Sequence, residues 1–546
     1  MRNKLLPKSL YTLGTIAISM SLLVACGTDK TMNNVSNNEK NKILTPQKGG
    51  TITVGIPQEP DTLDLQKAGM SISDNIGGNL GGGLLTQNPK TLEIEPYLAK
   101  DYKVSEDGKT ITITLKKNIK LHDGTPLTAQ VFKDTYERIL DPKTGSVVAL
   151  TLLAGLKTIT VVDDYTLVFG LEKPSATFLV GLTSEGYLHP MSMKAVKKYG
   201  KDYGRHPVGA GPWKFKEWQT GQSITLVRNE DFNWPQGYYK NKGIVYPDEL
   251  KYKVIKDYQT MLAALDSNSI DIALNISSKD VPRYQNNKNF KVFEQEKQGL
   301  GLMIEMNTET DKLKDLNVRK ALNMLIDKDA IIKAVLNGAG KPAYGPLPPS
   351  INGYDKNVED YGYKLNKEEA LKLFKNAGYK KNKDGYLEKN GKELTLELTL
   401  LERLNQAGQM VQAMFKDAGI KLKLKTMEAA ALIQSASQGQ VELAMATYTY
   451  PDPDVLYLLF HSSQIGGFNY SRANNKELDA LLEKGRVTMD MEKRKKIYAE
   501  AQKIIIDNGY IIPIYNEKIF HVVNNRVQDV NVYQDILLLN DSWVKK

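Results

Sequence analysis

Chemistry-bearing residues are sparse and scattered along this chain. Its one cysteine, Cys26, closes the only long apolar run, in Ser19-Met20-Ser21-Leu22-Leu23-Val24-Ala25-Cys26-Gly27. A lone thiol has no disulfide partner. The five histidines, His122, His189, His206, His461 and His521, are far apart, with no HExxH spacing and no cysteine nearby, so no preformed metal site is supported. His122 sits in the turn-like Leu121-His122-Asp123-Gly124-Thr125-Pro126. His461 follows the helix-like Val455 to Phe460 and could face a cleft, end a helix or enter a core. No GxSxG elbow occurs, and acidic pairs such as Asp452 and Asp454 are too common to argue general acid–base work. The glycines of Ile76-Gly77-Gly78-Asn79-Leu80-Gly81-Gly82-Gly83 fit neither GxGxxG nor GxxxxGK(S/T), so a phosphate cradle is not supported either. They suit a place where backbone approaches another strand or a ligand closely. This inventory supports no catalytic centre, phosphate cradle or preformed metal site.

The context of Cys26 supplies its reason. Arg2, Lys4 and Lys8 precede a largely apolar Leu10 to Ala25, shorter than the roughly 20 residues of a spanning helix, which is the pattern of an export signal. Thr12, Thr15, Ser19 and Ser21 weaken the run as a permanent span. An ordinary cleavage site needs no cysteine, but Leu23-Val24-Ala25-Cys26 resembles the lipobox of bacterial lipoproteins. That resemblance implies removal of 1–25, a diacylglycerol on the Cys26 sulfur, and a protein lipid-anchored on the extracytoplasmic face of the cell membrane, as in Gram-positive-type surface lipoproteins. Two fatty chains anchor far better than one. Residues 26–48, rich in Asn, Lys, Thr and Ser, cannot bury enough surface to offset ordering entropy and read as a tether.

From Gly49 the chain has ordinary globular composition, with 41% apolar and 25% charged residues overall. About 500 residues exceed one core, so two or three domains are expected. The formal net charge of +10 includes the three cations of the signal, and the remaining excess is scattered lysine interleaved with acids. There is no basic block and no nucleic-acid motif.

Several elements are legible. Thr51 to Ile56 alternates as a strand before the turn-rich Pro57-Gln58-Glu59-Pro60-Asp61. Tyr102 to Val104 and Lys109 to Leu115 flank Glu106-Asp107-Gly108, a hairpin signal. Thr128 is placed to cap the helix AQVFKDTYERIL, which Asp141-Pro142 stops. Strands are expected in 157–172 and at Ser223 to Val227, and helices over Val318 to Ile332 and Lys367 to Asn376, where apolar residues recur at three and four spacing. Strands and helices alternate, giving an α/β class.

Five stretches in order, Gln58-Glu59-Pro60-Asp61-Thr62-Leu63-Asp64, DGKTITITLKKNIKLHDGTPLTA (107–129), PVGAGPWKFKEW (207–218), NVRKALNMLIDKDAI (317–331) and IIPIY (511–515), resemble the extracytoplasmic solute-binding proteins of peptide and nickel ABC importers. The resemblance runs from about residue 49 to the C-terminal region. It implies a two-lobed periplasmic-binding-protein-like (type II) fold with an additional inserted domain. Lobe I would comprise 49–88, 189–297 and 516–546, the inserted domain 89–188 and lobe II 298–515. It further implies a non-enzymatic monomer that captures di- to oligopeptides between its lobes and delivers them to permease subunits driven by cytoplasmic ATPases. A nickel or metallophore complex is the alternative solute.

Peptide-binding relatives hold the ligand's ammonium with an aspartate ahead of a DPD-like turn. In Thr447-Tyr448-Thr449-Tyr450-Pro451-Asp452-Pro453-Asp454 that place falls on Thr449. A hydroxyl carries no charge, and charge-assisted bonds are roughly twice as strong as neutral ones. Either Asp452 or Asp454 takes over, or the solute lacks a free ammonium; both aspartates could instead form Asx-turns around Pro453. Of the alternating pairs Thr447/Thr449 and Tyr448/Tyr450, one faces the cleft and one the lobe. By the family layout Gly82 borders the cleft on lobe I, either making room for ligand backbone or packing tightly, and Asn307 lies near a crossing between lobes. The ligand-binding set expected is therefore Asp452, Asp454, Thr449, Tyr448, Tyr450, Thr447, Gly82, Asn307 and His461.

Overall fold

One strand organises the molecule. Ile511–Asn524, IIPIYNEKIFHVVN, is apolar at both ends and polar at Asn516, Glu517 and Lys518 in the middle. Near-continuous apolar runs mark strands buried on both faces, and the two ends of this strand enter different cores. Ile512 and Ile514 join one around Ile304, Leu398 and Phe415; Val523 joins another around Ile52, Val54 and Trp213. The computed structural model describes residues 45–533 and 536–546, and Pro46–Lys546 forms one compact unit. The signal-like run, Cys26 and nearly all of the tether lie outside the described residues.

Among the described residues, twelve strands share a mixed sheet through Ile511–Asn524. On one side of it the order is Leu302–Met306, Leu443–Ala446, Thr395–Leu400 and Lys421–Thr426, the framework of lobe II. On the other it is Ile272–Ala273, Thr51–Ile56, Glu249–Val254, Ser223–Arg228 and Trp213–Gln219, the framework of lobe I. A separate sheet of four strands, Ala99–Val104, Thr110–Leu115, Thr166–Leu171 and Leu156–Asp163, packs on the helix Ala129–Leu140 through Ile111, Ile113, Phe132, Tyr136 and Phe169. Its core also takes in Leu84, Leu85, Ala210, Phe232 and Trp234, so the inserted domain is welded to lobe I rather than hung from it.

The hairpin, the 129–140 helix and the Lys367–Asn376 helix form where patterning places them. Thr128 occupies the N-cap position of Ala129–Leu140, but its side chain makes no capping bond. Two elements differ from expectation. The stretch 318–332 is not one helix: Leu316–Asn323 ends before Asp327, whose side chain accepts from Ala330 N and starts Lys328–Leu336. Ser71–Leu80 is helical although Gly77 and Gly78 lower its propensity. Gly77 is required there because a Cβ would overlap Leu65.

Candidate functional site

Two antiparallel segments connect the lobes. Residues 297–301 cross opposite 515–517, between the pairing of Phe290–Glu296 with Lys518 to Asn524 and that of Leu302–Met306 with Ile511 to Tyr515. Lys297 N donates to Glu517 O at 3.0 Å, and Lys297 Nζ meets Glu517 Oε2 at 2.7 Å. The crossing is tight. Gly299 has φ +96°, and a Cβ on it would overlap Tyr448 O; a Cβ on Gly301 would overlap Asn516 Oδ1 and Tyr515 O. Leu300 N donates to Tyr448 O at 2.6 Å, so the crossing is tied to the segment that follows Leu443–Ala446.

Strand direction then defines the cleft. In lobe I, Thr51–Ile56 lies parallel to Glu249–Val254 and Ile272–Ala273, and the register puts their carboxyl ends towards the crossing. In lobe II, Thr395–Leu400 and Leu443–Ala446 are parallel and likewise end towards it. Ligands of open α/β sheets bind outside the carboxyl ends of the strands, and here two such edges face one boundary.

The lobe II edge is built from 401–403 and 447–450. Thr449 is exposed, whereas Tyr448 turns inward, its hydroxyl donating to Glu305 Oε1. Burial drives the Glu305 carboxyl up to about 8, against the Tyr448 bond, so a neutral acid sits behind the rim. Tyr450 packs into the apolar cluster of Leu456, Tyr498 and Ile505. The threonine pair therefore takes the outer side. Thr447 Oγ1 accepts from Arg403 Nη2 at 3.3 Å, and Arg403 is exposed in the short turn Glu402–Leu404 that follows the strand Thr395–Leu400. Burial and then Glu517 push the Tyr515 phenol up to about 12, with the Arg403 charge opposing them. Sequence reasoning missed Arg403; its signal was an arginine just past a strand's carboxyl end.

The two aspartates face away from this edge. Both Asp452 oxygens are held by Arg494, Nη1 to Oδ2 at 2.8 Å and Nη2 to Oδ1 at 2.7 Å, with Arg494 3% and Asp452 7% exposed at the side chain. Asp452 Oδ1 also accepts Asp454 N at 2.8 Å, the Asx-turn around Pro453. Asp454 Oδ1 pairs with Arg486 Nε at 3.0 Å, and burial raises its carboxyl to about 7. As anchors for a ligand ammonium both are already committed to helices of lobe II.

Three further expected residues also have protein partners. Asn307 lies at the opposite end of Leu302–Met306 from the crossing, its Nδ2 donating to Gly439 O and Val441 O at 3.1 Å. Gly82, at φ +120°, donates to Glu185 O at 3.0 Å and packs on Tyr97 and Leu98, which favours tight packing over room for ligand. His461 ends Val455–Phe460, stacks on Tyr457 at 4.2 Å and contacts Ser463 Oγ at 2.8 Å and Glu483 Oε1 at 3.3 Å.

The motifs shared with importer proteins are joints. Glu59 accepts from Trp218 Nε1 and Gly221 N, both at 2.8 Å. Asp64 takes a two-pronged Arg138 at 2.9 and 2.6 Å, fastening lobe I to the inserted domain. His122 bridges to the other motif: its Nε2 lies 3.1 Å from Gly211 O, and Gly209 N donates to its Nδ1 at 3.3 Å. Burial lowers its pKa to about 4, so it is neutral at physiological pH.

Comparison with known proteins agrees with this layout. The family "Bacterial extracellular solute-binding proteins, family 5 Middle" matches residues 93–468. Oligopeptide-binding protein AppA of Bacillus subtilis is 28% identical over 93% of each chain, and Heme-binding protein A of Haemophilus influenzae 31% over 80% of this chain and 81% of its own. The structure of AppA in complex with a nonapeptide is matched over 92% of this chain and 100% of its own with a TM-score of 0.66 at 26% identity. The murein tripeptide binding protein MppA in its unliganded open form is matched over 91% and 98%, with a TM-score of 0.79 at 25% identity.

Proposed function

Because the chain belongs to the bacterial extracellular solute-binding proteins of family 5, we propose that it is the receptor that captures peptides carrying a free carboxylate and hands them to a membrane permease. Its class is not in question: it is a non-enzymatic substrate-binding protein of an ABC importer. The single observation behind the finer reading is the lobe II edge, where Arg403 stands exposed in contact with Thr447, and Thr449 is exposed, while Asp452 and Asp454 are held by arginines inside the lobe. An edge with a cation and hydroxyls receives an anionic group, and closure strengthens that contact by removing water.

The better match to an unliganded open relative than to a peptide complex supports a structure with the lobes apart. Solute then shifts the population towards the closed form through contacts made only there. Lipidation at Cys26 and a tether over 26–48 complete the proposal, holding a monomer at the extracytoplasmic face beside its permease. Lobe I is taken as 49–88, 189–297 and 516–546, the inserted domain as 89–188 and lobe II as 298–515.

A second reading has one observation in its favour. With Thr449 in place of an acidic anchor, a carboxylate-bearing metal chelate would need no ammonium contact. Mass spectrometry of solute released from natively purified protein separates the two: short peptides support the first reading, and a metal complex without peptide overturns it.

A further inference from the structure

A second cavity lies far from the cleft. It has a volume of about 690 Å³ and is lined by Lys288, Lys291, Arg526, Lys545 and the amides of Asn268, Asn289, Asn524, Asn525 and Gln528, with no carboxylate among its lining residues. Arg526 is pinned, its Nη2 donating to Asp271 Oδ2 at 2.8 Å and to Thr51 O at 2.9 Å. Lys288, Lys291 and Lys545 are exposed, and among the described residues none has a carboxylate partner. Lys214, Lys216 and Lys297 of the same lobe are each paired with a carboxylate, of Asp231, Glu249 and Glu517 respectively. Three unmatched ammonium groups around one amide-floored hollow make it electropositive and favour an anion there.

Placement identifies the anion. Asn524 is eight residues beyond Asn516 on the central strand, about 26 Å from the crossing, so this cavity cannot serve the cleft. It adjoins the point where both ends of the globular unit meet: Lys545 N donates to Arg526 O at 2.7 Å, Lys546 N to Gln47 Oε1 at 3.2 Å, and Gly49 N to Tyr246 O at 2.8 Å. The chain from Cys26 to Pro46 reaches at most about 70 Å. We propose that this cavity is a phosphodiester site that docks the tether end of lobe I on the phosphate headgroups of an anionic membrane. Lysine is a point-charge binder of phosphate, and basic residues at an anionic surface add attraction that salt screens. The proposal rests on the anchored reading above.

The test uses the mature lipidated chain in nanodiscs of phosphatidylcholine with or without phosphatidylglycerol, and amide hydrogen exchange at 286–291 and 524–528. Phosphatidylglycerol should slow exchange there, with the effect lost in 0.5 M salt and in Lys288→Gln/Lys291→Gln/Lys545→Gln. Each lysine removed should weaken the effect by about fivefold. Lys214→Gln/Lys216→Gln, on the same lobe, should change nothing. Soluble glycerophosphoglycerol is the second arm: protection by it but not by the discs keeps the site and overturns the membrane as its source. Equal exchange in both discs with no response to the soluble diester overturns the site itself. The N-terminal mass reports acylation independently, so failure of the anchor is not mistaken for failure of the cavity.

Discussion

The joint between lobe I and the inserted domain and the edge of lobe II at 447–454 use similar residues to opposite ends. At the joint, Asp64, Arg138 and His122 are saturated by protein partners across long sequence separations. At the edge, the charges that look equally available in sequence divide: Asp452 and Asp454 turn into the lobe, while Arg403 and Thr449 stay outside. A polar residue that completes a buried partnership is a matter of stability, and one left outside, past a strand's carboxyl end, is free to meet a solute.

Substitutions can break that contrast. The largest effect is expected for Asp452→Ala, which strands the Arg494 guanidinium in a buried site; losing one partner of such a pair costs about 3–5 kcal/mol. Chemical denaturation should show the loss, and a well-folded variant that merely fails to bind would return Asp452 to the cleft. Gly299→Ala should come next, at about 2 kcal/mol, because its φ of +96° is strained for alanine and its Cβ meets Tyr448 O. It should also slow lobe closure in stopped-flow fluorescence. Arg403→Ala should leave the melting temperature unchanged and weaken binding by about 2 kcal/mol, some thirtyfold, by calorimetry.

The smallest effect concerns pH. Glu305 is raised from its ordinary 4.5 to about 8 by burial, so the folded protein keeps a proton that the unfolded chain releases. Its contribution is full below pH 4.5 and is lost as pH rises towards 8. Asp454, raised to about 7, acts in the same direction, and His122, lowered to about 4, acts oppositely below pH 6.5. Glu305→Gln should therefore flatten the fall of melting temperature between pH 5 and 8 while keeping an acceptor for Tyr448.

The legible parts of the sequence are those set by local period or by shared joints. The alternation in Thr110–Leu115 and the spacing in Ala129–Leu140 determine their own structure. The break at Met324–Asp327 and the helix through Gly77 were hidden because a cap and a neighbouring Leu65 override propensity. The importer-like motifs revealed the family, and Glu59, Asp64 and His122 within them hold joints of the fold. The site was only half legible: Thr449 was flagged by departure from a pattern, whereas the outward Arg403 and inward Asp452 depend on which helix packs behind the 447–454 turn.

The central claim is that the solute's carboxylate meets Arg403 between the lobes. Titration of the mature protein with a di- to pentapeptide library, run beside the same library bearing C-terminal amides, tests it most directly. The account predicts tight binding of the free acids and at least tenfold weaker binding of the amides. Equal affinity for both, or no peptide binding beside tight uptake of a metal chelate, would contradict it.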